Sequence, residues 1–137
     1  YTVEADVLAA INDNFSGYFA DEAATAETIK TYFEKYGYLA DTHTAVALSA
    51  AEQYIATLDE VRPIVVDSTA SPYKFAADVY ESLGKTQPAD PLAALDELAS
   101  ATNTEIPYPL RGLGQREVRF TKVIDAEEMP VAVLEWC

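Results

Sequence analysis

Apolar positions recur every four residues at the start of the chain. Val3, Val7, Ile11 and Phe15 form one stripe of a helix, which Ser16-Gly17 is expected to end. A second helix starts after Asp21 as N-cap, carries Ile29, Tyr32, Phe33 and Tyr36 on one face and stops at Gly37. Those aromatics read as core. A third helix follows Asp41, and its small residues Ala45, Ala47, Ala50 and Ala51 permit another backbone to approach closely. The period then changes: Ile64, Val65 and Val66 are a short β-branched run, read as a buried strand. Ser71 as N-cap and Pro72 as first helical residue open a fourth helix, with Phe75, Val79 and Leu83 at helical spacing and Gly84 at its end. A fifth runs from Asp90-Pro91 through Leu92, Leu95 and Leu98.

From Thr102 onward the pattern is different. Pro107, Pro109, Gly112 and Gly114 mark a loop, and Glu117 to Val123 alternate as a second strand with Val118, Phe120 and Lys122 on one face. Arg111, Arg116, Arg119 and Lys122 cluster there. Asp125 with Glu128 three positions on forms a capping box for a last short helix, against which Pro130 in its first turn argues. There is no internal repeat or low-complexity segment, and residues 84–90 are a linker rather than a domain boundary. The expected class is therefore α/β, mostly helical, with about two strands, fewer than the roughly four to six of an ordinary sheet. The chain opens on Tyr1 rather than Met and stops at Cys137 within an expected helix. It reads as a segment completing a larger α/β core, or as an all-helical unit in which residues 63–67 pair marginally.

Composition excludes several roles. The 137 residues fit one domain, and a 50% hydrophobic content can supply a core. With 23 acidic residues against 9 basic, the formal charge of −14 repels nucleic-acid phosphate and anionic membrane surfaces. No apolar run approaches the ~20 residues of a membrane span, and no secretory leader pattern is present. The expected partners thus include neither nucleic acid nor membrane. A single Cys permits no internal disulfide and fits a reducing cytoplasm. His43 and Cys137 fall short of a zinc spacing, so no metal ligands are assigned.

The chemistry concentrates around residues 67–72. Ser68 and Thr69 would sit at the carboxyl end of the strand, beside a helix start, where open α/β sheets place ligands. They are either hydrogen-bonding groups for a ligand or turn formers that shape the helix entry. His43, two residues past Asp41, reads as part of the helix start, where the dipole favours a neutral imidazole. Lys74, one turn into a helix, reads as a surface or helix-packing residue.

Two motifs carry a family resemblance. Gly37-Tyr38-Leu39-Ala40-Asp41-Thr42-His43-Thr44-Ala45-Val46-Ala47, then Val65-Val66-Asp67-Ser68-Thr69-Ala70-Ser71-Pro72-Tyr73-Lys74-Phe75, resemble the C-terminal part of threonine synthase in order and separation. The resemblance runs in weaker form from Tyr1 to the Pro107–Phe120 region. One departure is Thr42, where the family commonly has Pro. Residues 1–137 are then the C-terminal part of a threonine-synthase-like catalytic domain, a mostly helical portion of a fold-type II, tryptophan-synthase-like enzyme.

The resemblance implies a pyridoxal-phosphate enzyme that converts O-phosphohomoserine and water to threonine and phosphate. It makes Thr69, with Ser68 beside it, the hydroxyl partner of the pyridine nitrogen. A neutral hydroxyl balances a protonated ring less well than a carboxylate, which tunes the cofactor as an electron sink. The family's Schiff-base lysine lies far upstream, its phosphate-holding Gly-rich loop has no counterpart here, and Gly112-Leu113-Gly114 is too short to replace that loop. No catalytic residue is therefore assigned here, the isolated chain is expected to be inactive, and its main partner is the remainder of the parent chain. The competing reading is a stand-alone acidic helical module for protein interaction.

Overall fold

The computed structural model describes residues 2–60 and 62–136. Tyr1, Val61 and the lone cysteine, Cys137, lie outside the described residues. Six α-helices follow in order: α1 (Ala5–Asn12), α2 (Glu22–Tyr36), α3 (Thr42–Ile55), α4 (Ala76–Ser82), α5 (Ala93–Thr102) and α6 (Met129–Trp136). The helices α2 to α5 make the packed body, with α2 against α3 and α4, and α4 against α5.

Local chemistry sets most of the boundaries. Asp21 accepts the Ala24 N–H at 2.8 Å and starts α2. Thr25 and Thr28 are buried on this helix, and their hydroxyls donate to the carbonyls of Asp21 and Ala24 at 2.8 and 2.7 Å, so neither is left unpaired. Gly37 ends α2 in the left-handed region at φ 65°, a conformation that a Cβ would strain. Asp41 caps α3 by accepting the backbone N–H groups of His43 and Thr44 at 2.9 and 3.3 Å. Asp90 accepts the Leu92 N–H at 3.0 Å ahead of α5, and that helix ends on Asn103 at φ 53°. The expected capping box is present: Asp125 and Glu128 bond each other's backbone, closing a 3₁₀ turn (Ala126–Glu128) that leads into α6.

The core is built of small and medium side chains. Ile29, Ala45, Val79, Ala94, Leu95 and Leu98 are buried together with Ala40, Ala76 and the ring of Tyr73. Burying these apolar groups is the main term favouring this arrangement.

Three expectations need correction. No β-strand occurs among the described residues, so the mostly helical half of the expected class holds and its two strands do not. A β-ladder needs a second strand to take its N–H and C=O groups, and neither run meets one. Val65 is 91% exposed, and Val118, Phe120 and Val123 are all exposed. The helix expected from Pro72 is interrupted: Pro72–Phe75 form a 3₁₀ turn, Phe75 leaves helical geometry at φ −125°, ψ 46°, and α4 begins at Ala76. The first helix is shorter than its apolar stripe and buries none of it; Phe15, beyond its end, is 72% exposed.

The basic cluster near the C-terminus is likewise dispersed into separate contacts. Arg111 pairs with Glu105 at 2.9 Å, Lys122 with Glu135 on α6 at 3.0 Å, and the Arg119 guanidinium lies over the Phe120 ring. No helix of the described residues is long and apolar enough to cross a membrane.

Candidate functional site

The start of α3 and the segment ahead of Ser71 meet across an open groove of about 660 Å³. One wall is α3 itself, where His43, Ala47, Ala50 and Ala51 face the groove. The opposite wall is the 64–69 segment, which contributes Val66, Asp67 and Thr69. Of the small residues expected to admit a neighbouring backbone, Ala47, Ala50 and Ala51 line this groove, while Ala45 is buried in the core. Tyr18 and Tyr54, rings 6.3 Å apart, close one end. The volume falls within the range of about 300–1,000 Å³ typical of small-molecule sites.

The adjacent hydroxyls of Ser68 and Thr69 are used differently. Thr69 lines the groove. Ser68 is engaged elsewhere: its Oγ lies 3.3 Å from Thr44 Oγ1 on α3 and 3.3 Å from the Tyr38 hydroxyl. Ser71 caps the following turn, its Oγ accepting the Tyr73 N–H at 3.3 Å. The turn-forming role therefore belongs to Ser71, which leaves Thr69 available to a ligand.

Asp41, the N-cap of α3, does not itself line the groove. Its carboxylate is buried, and besides the two capping bonds it accepts a short hydrogen bond from the Thr44 hydroxyl. Burial pushes its pKa up, but the side-chain and backbone hydrogen bonds from Thr44 and those from His43 outweigh this and hold it below the ordinary 3.8. Asp41 is thus an anion at neutral pH. The His43 ring, its side chain 57% exposed, sits with Nδ1 3.3 Å from Asp41 Oδ1 and its face 5.3 Å from the Phe75 ring. Lys74 lies at the surface with Nζ over Phe75 at 5.3 Å, outside the groove.

No lysine or arginine lines the groove, and no group of three or more His, Cys, Asp or Glu among the described residues could hold a metal ion. The arrangement offers the hydroxyls of Thr69, Ser16, Tyr18 and Tyr54, the His43 imidazole and the Asp67 carboxylate to an uncharged or cationic ring, and nothing built for a phosphate. Gly112 and Gly114 are remote from it: Gly114 packs against Leu92 beside α5. Sequence reasoning missed Thr44 and Tyr38 as parts of the site. The Asp41-x-x-Thr44 spacing was the available signal, legible only as a cap.

A family model described as threonine synthase, C-terminal, matches residues 44–133. The chain belongs to that family. The matched span begins at Thr44 and takes in Ser68, Thr69 and the body from α3 to α5, so the groove lies largely within the threonine synthase C-terminal region.

Proposed function

We propose that residues 1–137 are the C-terminal part of a threonine synthase catalytic domain of fold type II, and that Thr69 is the hydroxyl partner of the pyridine nitrogen of pyridoxal phosphate. The observation that carries this is the position of Thr69: its hydroxyl-bearing side chain lines the groove while the neighbouring Ser68 is held by α3. Family membership supports the enzyme class, a carbon–oxygen lyase of threonine biosynthesis acting on O-phosphohomoserine.

The residues present fit the ring end of the cofactor. A hydroxyl can donate to or accept from a ring nitrogen, and Ala47 and Ala50 leave space for a flat heterocycle. Pyridoxal phosphate, when bound, supplies the electron sink for chemistry at the amino-acid carbons. Thr69 would hold the ring nitrogen by a neutral hydrogen bond, so that nitrogen is not driven to full protonation. Ala47, Ala50 and Val66 would flank the ring, and Tyr18 and Tyr54 also line the groove. The groove lacks cations, so the cofactor and substrate phosphates are to be held by the remainder of the parent chain.

That remainder is the main partner. The apolar side chains Val7, Leu8 and Ile11 of α1, and Val131, Val133 and Leu134 of α6, are exposed, which supports packing on a larger body within a cytoplasmic enzyme. Lys30, Lys35, Lys74, Lys85 and Lys122 all lie outside the groove lining, which supports an inactive isolated chain. Adding pyridoxal phosphate to this chain is expected to yield no stoichiometric visible band that borohydride bleaches. Thr69 is tested in the full-length enzyme: Thr69→Val is expected to alter the spectrum of the bound cofactor and lower threonine formation, and Thr69→Ser to preserve both. A Thr69→Val enzyme with the parent's spectrum and rate refutes the assignment.

A further inference from the structure

A chain of hydroxyls connects the groove segment to the buried carboxylate that caps α3. The Thr44 hydroxyl donates to Asp41 Oδ2, which is buried and anionic. The same Thr44 hydroxyl lies 3.3 Å from Ser68 Oγ with Ser68 on the accepting side, so Thr44 bridges the buried carboxylate and the opposite wall. Ser68 Oγ also accepts from the Tyr38 hydroxyl at 3.3 Å. Ser68 is thus held from two sides, by Thr44 and by Tyr38.

Such a chain has a use beyond capping α3. Asp41 already accepts two backbone N–H groups, which is all that a helix cap requires. The extension through Thr44 to Ser68 reaches across to the opposite wall, to the residue before Thr69. Ser68 and Thr69 are chemically near-equivalent, so a segment free to shift could present either one to a ligand. We propose that Thr44 is a positioning residue for Thr69: by tying Ser68 to α3, it selects which of the two hydroxyls faces the groove. This rests on the reading of Thr69 as the cofactor's partner, and adds Thr44, Ser68 and Asp41 as the means by which that partner is held.

The test uses the full-length, cofactor-loaded enzyme, with two readouts besides turnover: the rate at which pyridoxal phosphate is lost on dilution and the position of its absorption band. Ser68 is exposed, so Ser68→Ala leaves the core untouched and should keep the parent's melting temperature. Ser68→Ala and Thr44→Val are each expected to weaken cofactor retention by about tenfold, the order of one hydrogen bond, and to move the band in the same direction as Thr69→Val. The double variant is expected to be no worse than the poorer single one, because both cut the same chain. Thr44→Ser should restore the parent's behaviour. A Ser68→Ala enzyme with unaltered band and retention, beside a Thr69→Val enzyme that is altered, overturns the positioning role alone. A Thr69→Val enzyme indistinguishable from the parent overturns it together with the reading on which it rests.

Discussion

The Tyr73 hydroxyl lies 2.6 Å from Thr104 Oγ1, joining the turn before α4 to the residue just past the end of α5. Thr104 in turn lies 2.8 Å from Thr102 Oγ1, whose proton goes to the Leu98 carbonyl at 2.7 Å. The order of donation is therefore Tyr73 to Thr104 to Thr102. The ring of Tyr73 is buried in the core, so this bond links the groove side of the body to α5.

Removing that hydroxyl should be mildly destabilising. Tyr73→Phe keeps the buried ring and loses one hydrogen bond, while Thr104 is exposed and can turn to water. The expected loss is about 1 kcal/mol, read from the midpoint of urea unfolding. Leu98→Ala, which leaves a cavity in the same core, should cost about 2–5 kcal/mol. Equal losses for the two variants would contradict the view that packing outweighs this bond.

Asp41 should make stability depend on pH at the acid end. Its folded pKa lies below 3.8, so its contribution is fully present above the unfolded value and disappears as pH falls through the lower folded one. Unfolding midpoints measured from about pH 6 downward should decline below about pH 4. Asp41→Asn, which has no charge to lose, should show a shallower decline; a slope equal to the parent's would remove Asp41 as the cause.

Tyr32 gives the opposite sign. Burial first, then the hydrogen bond and charge of Glu52 and the nearby Tyr36, push its pKa up to about 12. The stabilisation is present below the unfolded value of about 10 and is lost as pH rises through the folded one. In an ultraviolet titration, Tyr32→Phe should lose the last-ionising tyrosine of the series. Glu52→Gln should bring that final step to lower pH, and an unmoved step would mean that burial alone sets it.

Two glycines should respond differently to the same change. Gly37 ends α2 at φ 65°, whereas Gly17 has no such backbone and no atom within 4 Å of an added Cβ. Gly37→Ala should cost about 1 kcal/mol and Gly17→Ala close to nothing, compared by thermal unfolding. Equal melting temperatures would show that the α2 terminus tolerates an L side chain there.

The accuracy of the sequence reading followed the range of the interactions involved. Asp21, Asp41, Ser71 and the Asp125–Glu128 pair were legible as caps because a cap joins groups two or three residues apart. Gly37 was legible as a stop for the same reason. The Gly37–Ala47 and Val65–Phe75 motifs carried the family resemblance, and the match of residues 44–133 to the threonine synthase C-terminal model required no coordinates. By contrast, Ile64–Val66 and Glu117–Val123 were read as strands on composition and alternation, properties of the segment itself. A strand also needs a neighbour, which the segment cannot specify.

Sequence alone thus determined the caps of α2 and α3, which family the chain joins, and that residues 68 and 69 offer hydroxyls. Only the tertiary structure decided that Ser68 turns to Thr44 while Thr69 lines the groove, and that Ala47, Ala50 and Ala51 of α3 line that groove. The physical reason is that a hydroxyl's direction depends on partners far along the chain. For Ser68 the two partners stand 24 and 30 residues away, and only folding brings them within reach.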